Sequence, residues 1–163
     1  MKRRRLGIVT NGAFNAGLTV RLDPGVSTED LHIGNFVIVE GERNRYFSVI
    51  SDMQLKVTDA KLLADPPRGA SPFIAQAISG INTYATVQVK PKLMLAMNAP
   101  DEERRVEPVR TIPMHFAKLC EADAMDFATV FGKEGGLNFA VGTPLTMDIP
   151  IPIKLDRWVE RSN

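Results

Sequence analysis

The chain carries a single cysteine, Cys120, in 163 residues. One thiol excludes an internal disulfide framework and fits a reducing compartment, so a cytoplasmic location is expected. Histidine is as scarce, with only His32 and His115. Metal centres draw three or four ligands, often in close local pairs, and His115 and Cys120 have no second pair to join them. Structural or surface roles suit them better, and neither sits in a recognisable setting for a Cys–His nucleophile. Excess charge of one sign is missing too. The 20 Lys and Arg against 19 Asp and Glu leave a net +1, so no global field draws the chain to nucleic acid or to an anionic membrane. No apolar run approaches the roughly 20 residues of a membrane span, and the basic start at residues 1–5 lacks the apolar stretch of a secretory signal. No phosphate loop is present. The nearest imitation, GAFNAGLT at residues 12–19, has the glycine spacing and the final threonine. Leu18 occupies the place of its lysine, and the residues from Leu18 to Leu22 alternate with period two rather than opening a helix.

What is present reads as a β-protein. Leu6–Thr10 is a short β-branched run ending at the turn dipeptide Asn11-Gly12. Leu18, Val20 and Leu22 alternate with polar residues up to Asp23-Pro24-Gly25. Residues 27–34 suit a turn or short helical piece. Phe36–Val39 and Tyr46–Ile50 flank a polar connection at 41–45, the pattern of a hairpin with a longer loop, and Met53–Thr58 continues it. The breakers Asp65-Pro66-Pro67 precede a predicted helix over 71–80, with Ser71 as its cap, Pro72 at its first position and Gly80 at its end. Thr83–Val89 alternates cleanly, and Leu93–Met97 extends it beyond Pro91. A second helix is predicted near 121–132, where Ala124, Phe127, Ala128 and Phe131 share a face and acidic residues crowd the start. Phe139–Val141 and the alternating segment from Met147 to Asp156 supply the last strands, the latter as the closing segment of the barrel.

Strands come first and follow one another closely. The fold class expected is mainly β: a small closed or partly open antiparallel β-barrel of six or more strands with two short helices, one domain over residues 1–163. Closure removes exposed edges, which a chain rich in β-branched residues must control.

Chemistry-bearing residues are sparse. Asp101, Glu102 and Glu103 stand beside Arg104 and Arg105 and read as a solvated loop tip. Asp65, before two prolines, reads as a turn residue. The basic residues Lys2, Arg3, Arg4 and Arg5, with Arg43 and Arg45, are the candidates for contact with a partner or with DNA. For Lys2–Arg5 a frayed tail is the commoner role of such a run. An aromatic platform is thin: Phe36, Tyr46, Phe47 and Tyr84 are available, and strand parity sends at least half of them inward. No catalytic, cofactor-binding or metal-ligating residue is identified.

Three segments carry a family likeness: LGIVTNGAFNAGLTVRLDPGVSTEDLHIGNFVIVEGERNRYFSVISDMQL at 6–55, VRTIPMHFAKLCEADAMDFATVFG at 109–132, and VGTPLTMDIPIPIKLDRWVERSN at 141–163. They resemble the N-terminal barrel of HerA-like ATPases, ring-forming DNA translocases related to FtsK, a barrel similar to those of rotary ATP synthase subunits. In that family the segment matching residues 157–163 leads into a P-loop ATPase domain. The resemblance therefore implies a non-catalytic assembly and partner-binding barrel. Its partners would be other copies in a hexameric ring, a nuclease, and double-stranded DNA reached through the ring, with ATP and magnesium belonging to the absent domain. The competing expectation is a free-standing OB-like nucleic-acid-binding barrel, which needs an aromatic, basic strand face. A small enzyme built on His115 and Cys120 is the third.

Overall fold

In the computed structural model, residues 3–65, 69, 83–97, 106–133, 135, 138–144 and 149–154 are described. The helix predicted over 71–80, the loop at 100–105, Lys2 and the tail 157–163 lie outside them. The chain divides into two compact units, Met1–Glu121 and Ala122–Asn163.

The first unit contains strands β1 (Arg5–Ala13), β2 (Gly17–Leu22), β3 (Phe36–Glu40), β4 (Asn44–Val57), β5 (Thr83–Ala96), β6 (Val106–Pro108) and β7 (Lys118–Glu121), a 3-10 turn at Thr28–Asp30 and a one-turn helix α1 (Ala60–Ala64). The strands run in the order β2-β1-β7-β3-β4-β5-β6, and β2 also pairs with β5. That pairing, with Leu18 opposite Val89 and Val20 opposite Val87, closes six antiparallel strands into a barrel and leaves β6 as an extra strand on β5. The barrel fold expected from the sequence is thus present. Strands β7-β3-β4-β5 lie in Greek-key order, the last of them in sequence returning beside the first.

Alternation explains the filling. Leu18, Val20 and Leu22 of β2, Val37 and Val39 of β3, Tyr46 and Ile50 of β4, Val87 and Val89 of β5 and Leu119 of β7 form one buried cluster with Leu6, Val9 and Leu31. Successive strand residues face opposite sides, so Ile38, Phe47 and Cys120 point outward from this cluster. They are buried as well, and the register places Phe47 and Cys120 on either side of Ile38. Phe36 stacks on Phe47 with centroids 5.1 Å apart. This second apolar layer is why β3 reads as a continuous hydrophobic run.

Two register shifts bend the long β4–β5 ladder. One leaves Lys92 unmatched between Pro91 and Leu93. A proline lacks the donor a regular ladder needs, and a bulge is where a strand tolerates it. Leu93–Ala96 therefore stays in the same strand as Thr83–Val89.

Two expectations are corrected. Asn11-Gly12 is not the first turn: β1 runs on to Ala13 with a register shift between Val9 and Asn11, and the chain reverses over Phe14–Ala16. The shift absorbs the turn-forming pair as an irregularity within the strand. The segment around Ile151–Lys154 does not close the barrel either. Strand β9 (Pro152–Lys154) pairs with β8 (Asn138–Ala140) in a separate two-stranded sheet of the second unit. The β2–β5 pairing has already given every barrel strand two neighbours, and a two-stranded sheet offers a proline the edge position it requires.

The second unit also holds α2 (Ala124–Phe131). Asp123 caps it, accepting from the N–H groups of Met125 and Asp126 at 3.0 Å, while the Asp126 carboxylate accepts from the Asp123 N–H at 3.0 Å. This reciprocal capping box fixes the helix start at the acidic cluster. Gly132, at φ +92°, ends it.

Candidate protein-interaction site

The segment between β6 and β7 packs against the barrel and is pinned at several points. Val109 and Ala117 pack against the barrel core. The Tyr46 phenol and the Thr111 hydroxyl meet at 2.9 Å. Pro113 lies beside Gly41 at ordinary contact range, 3.7 Å from where a Cβ would stand, and the tight neighbour of that glycine is the Asn44 carbonyl oxygen of its own hairpin, at 3.0 Å.

The segment then makes a tight turn. The Ala117 N–H donates to the Met114 carbonyl at 3.3 Å, with His115 and Phe116 at the turn's centre. Phe116 has φ +66°, a region that glycine enters freely and a phenylalanine enters at a cost of about 1–2 kcal/mol. The same residue opens a bulge against β1. Its N–H donates to the Val9 carbonyl at 2.8 Å, and the Val9 N–H donates to the Ala117 carbonyl at 2.9 Å, so two residues face one. A turn feeding such a bulge ordinarily carries glycine at this position. Here the side chain is a phenyl ring, 69% exposed, beside Met114 at 64%. Strained backbone conformations concentrate at functional sites, and here the strained residue and its neighbour Met114 present apolar side chains to solvent.

A cleft of about 370 Å³ lies beside the turn. Met97, Met114 and Phe116 supply its apolar wall, and Glu40, Glu42, Arg45 and Lys118 its charged one. The Nε of Arg45 is sealed from solvent and has no hydrogen-bond acceptor. A second cleft, of about 420 Å³, is bordered by Arg21, Asp23, Leu55 and Tyr84. Its most prominent charges are engaged: the Arg21 guanidinium lies 4.3 Å from the Tyr84 ring centroid, and Asp23 accepts from Arg5 at 2.7 and 3.0 Å. The first cleft is therefore the better candidate.

The basic residues expected to meet a partner fall into two groups. Arg3, Arg4 and Arg5 lie against carboxylates. Arg3 is 3.5 Å from Glu40, Arg4 is 3.2 Å from Glu121 and 3.5 Å from Asp30, and Arg5 forks onto Asp23. The Asp23 hydrogen bonds and charge raise the pKa of Arg5 further above its ordinary value. Arg43 is exposed, and its backbone carbonyl accepts from Met97 at 2.8 Å. Of the five that are described, Arg45 alone is brought into the cleft lining, with the 41–45 connection at its rim. Nothing local in the sequence marks Met114 and Phe116, since a phenylalanine gives no sign of a left-handed backbone.

His115 and Cys120 are not brought together as a nucleophile pair. His115 is exposed in the turn and Cys120 is buried in β7, where burial first and the charge of Glu40 second push its thiol pKa up. A raised pKa keeps the thiol protonated and weakly nucleophilic. Among the described residues, no group of three or more His, Cys, Asp or Glu is placed to hold a metal ion, and no helix is long and apolar enough to cross a membrane. The chain matches no protein-family model and none of the curated proteins compared with it.

Proposed function

We propose that this chain is an assembly and partner-binding barrel without catalysis of its own, in the manner of the N-terminal barrels of HerA-like ATPases. In such a ring the barrel packs beside its copies and receives a partner, while a separate motor domain hydrolyses ATP and moves double-stranded DNA. The observation that carries the reading is Phe116, held at φ +66° with its ring exposed beside an open cleft. A strained backbone that presents an aromatic side chain to solvent is accounted for by contact with another protein. Nucleic-acid binding on a strand face has less support. Arg3, Arg4 and Arg5 lie against carboxylates, and Tyr46 and Phe47 are buried.

Calorimetric titration with ATP and sedimentation over a range of protein concentrations test the reading together. It expects no saturable micromolar ATP binding. It also expects concentration-dependent association that weakens at least about tenfold, or 1.4 kcal/mol, in Phe116→Ser. Saturable micromolar ATP binding, or association indifferent to Phe116→Ser, overturns it.

A further inference from the structure

We infer that the cleft beside Phe116 binds a carboxylate carried next to an apolar group, the chemistry that an acidic residue flanked by an apolar one presents on a partner protein. The inference rests on the partner-binding reading and names what the partner must offer.

Arg45 carries the argument. The register pairs it with Glu40 across the β3–β4 ladder, where an opposite charge would ordinarily complete the pair. The Glu40 carboxylate instead lies 3.5 Å from Arg3. Arg45 is left with no ion pair among the described residues, and its Nε is a solvent-sealed donor without an acceptor. The Nε itself is out of a ligand's reach, but the terminal N–H groups of the same guanidinium are neither sealed nor paired among the described residues, so an acceptor supplied from outside meets an uncompensated charge. The guanidinium is a planar fork whose neighbouring N–H groups match the two oxygens of a carboxylate.

The rest of the lining selects among anions. Lys118 adds positive charge, and Glu42 and Glu40 oppose it, the latter 3.5 Å from Arg3. With the two signs balanced, a multiply charged phosphate gains no net attraction from the lining and costs more than a carboxylate to strip of water. Met97, Met114 and Phe116 provide a deformable thioether and aromatic surface for the apolar neighbour. At about 370 Å³ the cleft is at the small end of ligand sites, suited to one or two side chains.

The test is an NMR titration of the intact chain with N-acetyl-L-phenylalanine, its carboxamide, and inorganic phosphate. The acid is expected to shift the Arg45 Nε–H and the Phe116 and Ala117 amide signals saturably at millimolar concentration. The carboxamide should bind about tenfold or more weakly, and phosphate should give no saturable shift. Arg45→Gln should erase the preference for the acid while leaving the remaining amide spectrum in place. Arg45→Lys should restore it only in part, since the charge returns without the fork. Equal binding of acid and carboxamide, an acid preference surviving in Arg45→Gln, saturable phosphate binding, or no shift with any probe overturns the inference. If association still depends on Phe116 in sedimentation, the partner-binding reading stands when the carboxylate site falls.

Discussion

Phe116 donates its backbone N–H to the Val9 carbonyl at 2.8 Å, and it does so from a left-handed conformation, φ +66°. The bulge against β1 thus holds the ring at the rim of the cleft. The strain is local to one residue, so its size can be measured there.

Phe116→Gly removes that strain and Phe116→Ala keeps it. The glycine variant is expected to exceed the alanine variant by about 1 kcal/mol in unfolding free energy. Urea midpoints at an unchanged slope read the difference directly. Equal midpoints would mean that the turn relaxes to another conformation without the ring.

Tyr46→Phe deletes the phenol that meets Thr111. Thr111 is exposed and can turn to water, so the loss is expected near the low end for a hydrogen bond, about 0.5–1 kcal/mol. Amide exchange at Phe116 and Ala117 should quicken while β2 and β5 keep their protection. Unchanged exchange at the turn would show that Val109, Pro113 and Ala117 suffice to hold it.

Gly7→Ala drives a Cβ into the backbone carbonyl of Arg21 on the paired strand. A backbone atom cannot swing aside as a side chain can, so β1 and β2 must separate. A loss of about 2 kcal/mol is expected, read as a lowered melting temperature. A melting temperature within a degree or so of the parent's, against the several degrees that 1 kcal/mol moves a domain of this kind, would refute the close approach.

Cys120 gives the chain a pH dependence on the alkaline side. Its native thiol pKa is raised by burial and by Glu40, so the folded state holds the proton where the unfolded chain releases it. The stability this contributes is complete below the unfolded thiol pKa and is lost as pH rises through the native value. Cys120→Ala should flatten the decline. An identical decline in the variant would assign it to other groups.

Much of the barrel was legible because alternation and burial coincide. Leu18, Val20 and Leu22 read as a strand with one covered face, and that is what β2 is. The start of α2 was legible within a few residues, because Asp123 and Asp126 act through side chains whose cap chemistry is local. Strand β7 was not. Four residues, Lys118–Glu121, are too few to show a period, and what makes them a strand is the gap between β1 and β3 that they fill. The cleft was illegible for a similar reason. Arg45 is visible in the sequence as a cation, but its lack of a partner depends on Glu40 lying against Arg3. No pattern along the chain records which of two arginines a glutamate will face.

The position of β7 has a consequence for how the molecule is made. Every other barrel strand precedes it in the chain, and β1 and β3 are brought together only through it. While the polypeptide is being synthesised, those two strands have an open side each until Lys118–Glu121 emerges. Open strand edges are where a nascent chain pairs wrongly with its neighbours. The shortest of the six strands is therefore the keystone: without it the order β1-β2-β5-β4-β3 has two unpaired margins, and with it none of the six is left with one.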